Sequence, residues 1–491
     1  MLTSPVLPRL RRTTAAAAAT LALLAATLSP AHAQLIRQPN YTLNLSETMP
    51  PKTLSATGAF SNLATLTPHA GIIPYTANVS FWSDYAQKQR WFSIPNIADK
   101  MTFSPEGNWL FPTGTVWVKH FNLPNVRENP SGPSRRIETR FIVKKANGVF
   151  GLSYRWREDQ SDADLVSEWG DAQFYSVISN GQPTDQLWQY PSRNDCITCH
   201  SPAGGYGLSV NTRQLNGPHT HGGQTWNQIK AWSNAGYFTA PVSNVNNMPA
   251  YAKANDLTQS LESRARSYLA VNCSNCHQPS GMVNYGWDAR VTTPTDAAGI
   301  INGPIFGWDH GYPEAKIITP GDLYNSLLYQ RVTGGASRMP PLASTELDPT
   351  AAQLLGQWIL DDLPSRRSFA QWQTQYFGSP QNPLAGPDED PDSDGRKNRE
   401  EYLSNTNPTD ASSVLPPAQL ASAGGGLLQL WYTQPANRSA VIETSTTLTG
   451  DWTLWDVPGN APDFAVTETT RTLSLPAGEA SRFFRVRLAE P

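Results

Sequence analysis

All four cysteines of the chain occur in two copies of one pattern, Cys-x-x-Cys-His. The first motif is Cys196-Ile-Thr-Cys199-His200 and the second motif is Cys273-Ser-Asn-Cys276-His277. Two thiols at this spacing lie on one side of a helical turn and can add to the two vinyl groups of a porphyrin, while the next histidine donates a nitrogen to the iron. The repeat predicts two covalent haem c groups, held by Cys196, Cys199, Cys273 and Cys276, with His200 and His277 as iron ligands.

Two other uses of four cysteines were weighed against haem. In a zinc site the two pairs are usually separated by roughly 15–20 residues, far fewer than the interval from Cys199 to Cys273. Disulfides are the ordinary use of cysteine in an exported chain. Neither use explains why a histidine follows both pairs, so covalent haem is the favoured interpretation.

The first 33 residues have the three parts of a secretory signal peptide. Basic residues precede an apolar run at about 15–28, and Ala31-His32-Ala33 offers a cleavage site. The run is shorter than the roughly 20 residues that a membrane-spanning helix needs, and no later segment is long and apolar enough. We therefore expect export to the periplasm, to a Gram-negative cell envelope or to the medium, with no transmembrane segment after cleavage.

A length of 491 residues indicates several domains, at about 150 residues each. The formal net charge is −3 and no basic stripe is present, which excludes nucleic acid as an expected partner. Residues near 115–121 and 150–156 alternate as strands do, and Asn147-Gly148 is a hairpin signal. The predicted domains are a β-rich N-terminal domain (34–185), a first haem domain (186–255), a second haem domain (256–366), a helical linker (367–412) and a β-sandwich of immunoglobulin or fibronectin type (413–491).

The second haem region contains several helix signals. A helix is predicted over 256–272, capped by Asp256, and another begins at Asp348-Pro349, a cap residue followed by proline. With the Met339-Pro340 loop between them, this arrangement resembles a class I cytochrome c. The resemblance implies a mainly-α central region with Met339 as the sixth iron ligand, a thioether that raises the reduction potential. An ordinary core methionine is the alternative, and Met282 lies nearer in sequence but in a turn-like setting.

The sixth ligand of the first haem is less defined by the sequence. Met248, in Asn247-Met248-Pro249, is the favoured candidate, and His219 and His221 are the others. An open sixth position is the further alternative, which would let the iron bind peroxide or another small ligand.

An acidic segment follows the second haem region. Asp390, Asp392 and Asp394 precede Gly395, and Glu401 completes the template D-x-D-x-D-G-x5-E, which supplies the oxygen ligands that calcium requires. Prolines before the segment preclude the entering helix of a full EF-hand. The segment is more similar to the single calcium loops of dockerins and thrombospondin type-3 repeats, and a solvated acidic linker is the alternative.

Residues of about 56 to 363 resemble a family of exported dihaem c-type cytochromes of Gram-negative bacteria. The resemblance rests on both haem motifs and on Leu54-Ser-Ala-Thr-Gly-Ala-Phe60, Ile73-Pro-Tyr75, Trp82-Ser-Asp84, Phe111-Pro-Thr-Gly114, Glu138-Thr-Arg140, Trp156-Arg-Glu-Asp-Gln160 and Arg264-Ala-Arg-Ser-Tyr-Leu269. Tyr85 departs from the expected glycine. The family implies electron transfer and indicates no substrate.

Three functions follow as hypotheses. The first is electron transfer between redox partner proteins in the periplasm or envelope. The second is a dihaem peroxidase or oxidase with an open sixth position on the first haem. The third is a substrate-binding envelope protein, in which aromatic and charged clusters such as Trp82-Ser83-Asp84 contact glycan or peptide.

Overall fold

The computed structural model of the chain describes residues 35, 37–38, 41–208, 210–221, 223–283, 286–334, 338–342, 344–425, 427–476 and 482–491, without the side chains of 221, 475 and 476. The predicted signal peptide lies outside the described residues. Within the described part of the chain, no helix has the length and apolar character needed to cross a membrane. About 28 % of the residues are in strands and 17 % in helices.

An antiparallel six-stranded sheet dominates the N-terminal half. Its strands pair in the order in which they follow along the chain, so each connection joins neighbours. The strands are β3 (Ile72–Pro74), β4 (Gln87–Ser93), β5 (Val116–Pro124), β6 (Ser134–Lys144), β7 (Val149–Trp156) and β8 (Ala163–Leu165); a separate pair, β1 (Phe60–Asn62) and β2 (Thr67–Pro68), precedes them. The predicted hairpin at Asn147-Gly148 joins β6 to β7 and is confirmed.

Both faces of this sheet are buried, because alternate residues along a strand point to opposite sides. Trp91, Val118 and Phe141 pack in one core, and Phe92 and Trp117 pack in another. A second hairpin, β9 (Asp171–Ser179) and β10 (Gln182–Tyr190), lies outside the sheet. Its turn is Asn180-Gly181, where both residues have positive φ, as a two-residue hairpin turn requires.

The central region is not mainly α-helical, so that part of the predicted fold class is wrong. Its helices are short and widely spaced: α1 (Arg193–Cys199), α2 (Thr212–Leu215), α3 (Gln228–Asn234), α4 (Leu261–Asn272), α5 (Leu327–Thr333) and α6 (Pro349–Gln357), with a hairpin of β11 (Pro218–His221) and β12 (Gln224–Asn227). No helix is present among the described residues between α4 and α5. Repeated glycine and proline in that interval interrupt helical hydrogen bonding.

The ends of the predicted helices were partly right. Asp348 caps α6 through the amide of Ala351, at 3.1 Å, and Pro349 is its first residue, as expected. By contrast, α4 begins after Ser260 and not after Asp256. Asp256 instead accepts hydrogen bonds from Thr258 in a turn. This competing local interaction ends any helix before it starts, as aspartate often does in turns.

The C-terminal part contains two short helices and two three-stranded antiparallel sheets. The helices are α7 (Phe369–Phe377) and α8 (Asn398–Ser404). One sheet has the order β13 (Gln419–Gly424), β14 (Leu427–Gln434), β17 (Thr469–Pro476), and the other has the order β16 (Thr453–Leu454), β15 (Ser439–Ser445), β18 (Phe483–Ala489). Apolar side chains of both sheets share one core. The immunoglobulin or fibronectin class of this part and the domain boundaries stay predictions.

Candidate functional site

The first motif lies on α1, which packs on the six-stranded sheet. A capping box starts the helix, because Ser192 accepts from the amide of Asp195 and Asp195 accepts from that of Ser192. Cys196 is buried against Gly151 of β7, where an added Cβ would come within 2.5 Å of the thiol sulfur. Only glycine at this position lets α1 approach the sheet so closely.

His200 follows the end of α1 with one ring nitrogen already bonded. Its Nδ1 lies 2.5 Å from the carbonyl oxygen of Tyr206. A carbonyl can only accept, so Nδ1 carries the proton and Nε2 keeps a free lone pair. Burial, followed by the charge of Lys119, lowers the pKa of His200 to about 3. The imidazole is therefore neutral, which is the form that binds a metal.

The second motif follows directly from α4. His277 stacks on Trp287, with ring centroids 4.3 Å apart. Burial, followed by the charge of Arg331, lowers the pKa of His277 to about 4, so this imidazole is neutral too. Its Nδ1 is buried without a hydrogen-bond partner among the described residues. A buried unpaired polar atom of this kind is a mark of an interaction that the polypeptide alone does not supply.

A mostly apolar cavity of about 520 Å³ joins the predicted ligands of the second haem. Its wall includes Cys273, Cys276, His277 and Met339, together with Cys199 of the first motif. The remaining wall is formed largely by apolar side chains, among them Met282, Val283, Trp287, Ile305, Phe306, Trp308, Leu327, Leu328 and Val332. The volume and lining are those of a small-molecule or cofactor site.

The two motifs meet at their second cysteines. The thiols of Cys199 and Cys276 are hydrogen-bonded to each other, which raises the pKa of Cys199 and lowers that of Cys276 to about 7. Burial raises the pKa of Cys196 to about 11 and that of Cys273 to about 12. None of the four is in a disulfide. The fold therefore brings two distant motifs to one place, which the sequence did not predict.

The candidates for the sixth ligand of the first haem lie elsewhere. Met248 follows a 3-10 turn, Val245–Asn247, and is not part of the cavity wall. His219 lies on β11 with Nδ1 2.8 Å from the hydroxyl of Thr76. The side chain of His221 lies outside the described residues. Met282 does line the cavity beside Met339, although it is largely exposed.

The acidic loop brings its predicted ligands together. Asp390, Asp392 and Asp394 each offer an oxygen within 4.8 Å of the others. In each aspartate, one oxygen accepts from a backbone amide of residue 394, 395 or 396, and the second is buried without a partner. Glu401, on α8, is fully buried and its Oε2 is also unpartnered. Burial, then repulsion from Asp392, raises the pKa of Glu401 to about 7.

One ligand candidate in this loop was missed from the sequence. Asn398 is fully buried and its side-chain oxygen has no partner, while its nitrogen donates to the carbonyls of Leu384 and Gly386. In the calcium-loop template Asn398 occupies the ninth position, which commonly contributes a ligand.

The aromatic and charged cluster at Trp82-Ser83-Asp84 serves another purpose than an exposed glycan site. Asp84 is buried, and its carboxylate accepts from the amides of Thr345 and Glu346 at 3.0 Å. Trp82 donates through Nε1 to the carbonyl of Glu346. This cluster joins the N-terminal sheet region to the loop that follows Met339.

The donor set fits two covalent haem c groups, although the second site is better formed than the first. Both thiols, the imidazole and a methionine sulfur border one cavity at the second motif. At the first motif, the thiols and a neutral imidazole are present on α1.

No family model, no curated protein and no solved structure matches this chain. The resemblance of residues 56–363 to exported dihaem cytochromes, and of the second haem region to class I cytochrome c, is therefore wrong as an assignment of family. The largely β structure, with no helical haem domain around either motif, contradicts it as well. The likeness of the acidic loop to dockerin or thrombospondin repeats has no support either.

Proposed function

We propose that this chain is a dihaem electron carrier of the periplasm or cell envelope, passing electrons between redox partner proteins. The observation that carries the proposal is the cavity of about 520 Å³ bordered by Cys273, Cys276, His277 and Met339. Thiols at haem-attachment spacing, a neutral imidazole and a thioether facing one apolar space are the parts that a haem c site requires.

The residues of the cavity have separate tasks. Cys273 and Cys276 fix the porphyrin covalently, and His277 and Met339 bind the iron. When bound, the haem groups supply one-electron redox chemistry. Leu327 and Leu328 exclude water, and a hydrophobic shell of this kind tunes the potential of a metal site. The contact between Cys199 and Cys276 makes the two attachment points adjacent, which supports electron transfer within the chain.

The whole-protein mass tests the proposal. The full chain is produced in a host that matures c-type haem in an oxidising compartment. We expect the mature protein to be heavier by two haems, with both retained after denaturation because thioether bonds are covalent. A mass without haem would end the proposal.

The enzymatic alternative is a peroxidase or oxidase acting at the first haem. Its support is that Met248 does not border the cavity that contains Cys199. Ferric spectra separate the two functions. Two low-spin haems agree with electron transfer, whereas a high-spin signal that changes on addition of peroxide favours the enzyme.

We also propose that the acidic loop binds calcium. Four buried, unpartnered carboxylate oxygens come from Asp390, Asp392, Asp394 and Glu401. No ion pair to these carboxylates is present in the described structure, so their mutual repulsion is uncompensated. Such an arrangement is costly unless a cation occupies it.

Calcium is expected to raise the unfolding temperature of the full chain. A ligand at a hundredfold excess over its Kd stabilises by about 2.7 kcal/mol. Asp392→Asn should abolish the response and, because it relieves repulsion, leave the calcium-free protein at least as stable as before. Asp388→Asn is the matched control, since Asp388 is exposed and bonded to Lys397. Equal responses of the two variants, or a wild type that does not distinguish calcium from chelator, would refute the site.

A further inference from the structure

Three cations lie side by side on one face of the six-stranded sheet. Arg90 of β4 faces Lys119 of β5, and Lys119 faces Arg140 of β6. Lys88 lies two residues before Arg90, on the same face. We call Lys88, Arg90, Lys119 and Arg140 the cationic patch. Like charges directly opposite each other destabilise a sheet, so the patch needs a compensating anion.

The acid nearest to the patch is already fully engaged. Glu138 accepts from Nε and Nη2 of Arg140 at 2.6 and 2.8 Å. It also accepts from Nε1 of Trp188 at 2.9 Å and from the hydroxyl of Ser153. Glu138 therefore neutralises Arg140 and has no capacity left for Lys119 or Arg90.

Two further acids act on Lys88 from a greater distance, and both are engaged elsewhere. Asp84 binds the backbone amides of residues 345 and 346. Asp348 caps α6 and accepts from the hydroxyl of Tyr268. Within the described part of the chain, no salt bridge involves Lys88, Arg90 or Lys119.

The unpaired charges are costly where they lie. Arg90 is only 8 % exposed, and its Nε and Nη2 have no hydrogen-bond partner in the described structure. Burial, followed by repulsion from Arg90 and Arg140, lowers the pKa of Lys119 to about 7. An unpaired buried guanidinium is rare unless a ligand satisfies it.

The patch borders the first haem motif. Gly151, against which Cys196 packs, lies on the same sheet face as Arg140, two residues from its partner Ser153. The charge of Lys119 lowers the pKa of His200. The Nζ atom of Lys119 is 5.9 Å from the ring centroid of Phe81, a residue of the cavity wall.

We propose that Lys88, Arg90 and Lys119 bind the carboxylate groups of the porphyrin attached at Cys196 and Cys199. The inference rests on the proposed function. A porphyrin of this type carries two carboxylates, and a guanidinium binds a carboxylate through two parallel hydrogen bonds. A free carboxylate or phosphate ion has the same chemistry, so the test separates the two sources.

The test uses the matured full chain and its two reduction potentials. In Lys119→Met, the potential of one haem should fall, because a cation that disfavours the ferric state is gone. The same potential should become dependent on pH, since carboxylates without a counter-charge have a higher pKa. The other haem should be unaffected. Arg90→Gln is expected to act alike and serves if Lys119→Met does not fold.

Arg155→Gln is the matched control, because Arg155 lies on the same sheet face but in an exposed ion pair with Asp171. Its two potentials should equal those of the wild type. Unchanged potentials in both patch variants would overturn the inference. So would a wild-type protein whose potentials respond to added citrate or phosphate, since the patch would then be open to free anions. Absence of haem from the wild-type mass would instead overturn the proposed function itself.

Discussion

Replacement of Met339 by leucine is expected to lower the reduction potential of one haem by on the order of 100 mV, since axial ligands set haem potentials over a range of about 0.8 V. Leucine is similar in volume but has no sulfur to bind iron, and the thioether is the ligand that raises the potential. The ferric spectrum of the same haem should change from low spin to high spin. Spectroelectrochemical titration of the matured full chain measures both effects.

Met282→Leu is the matched control, because Met282 lines the same cavity but its side chain is 57 % exposed. Both potentials should stay as in the wild type. If Met282→Leu produced the shift and Met339→Leu did not, the sixth ligand would be Met282. If neither variant changed the potentials, the second haem would not have a methionine ligand.

Replacement of Trp358 by alanine is expected to lower the free energy of unfolding of the second haem region by about 3–5 kcal/mol. Trp358 follows α6 directly, is fully buried, and packs in a core with Leu269 and Leu354. The cavity that its removal creates is surrounded by side chains that cannot fill it. Urea unfolding of the full chain, followed by haem absorbance, measures the loss.

Trp169→Ala serves as the control of the same residue type, because Trp169 is 80 % exposed. A surface change of this kind is usually within about 0.5 kcal/mol. Equal losses in the two variants would show that the core around Trp358 does not support the second motif.

Features encoded by a few adjacent residues could be predicted from the sequence. The Asn147-Gly148 hairpin, the Asp348-Pro349 helix start and the convergence of the three loop aspartates are of this kind. Each depends on local hydrogen bonds or on backbone conformations that neighbouring residues determine. The inward positions of Leu354, Leu355, Trp358 and Ile359 follow from helical periodicity and were also right.

Features that depend on distant segments could not be predicted. The contact between Cys199 and Cys276, the fit of Cys196 against Gly151 and the alignment of Arg90 with Lys119 all arise from tertiary packing and strand register. The predicted position of Leu257 on a buried helix face was wrong, because α4 starts later and Leu257 is 75 % exposed. A helical pattern was recognised there, but a local turn prevented the helix.

The touching thiols of Cys199 and Cys276 have a consequence for biogenesis. Two thiols in contact, one of them with a pKa near neutrality, are well placed for mutual oxidation, which needs a thiolate to begin. A bond between them would consume one anchoring sulfur of each motif. A cell that exports this chain must therefore deliver porphyrin and reducing equivalents to it before ambient oxidants act, so the order of assembly is as decisive as the final architecture.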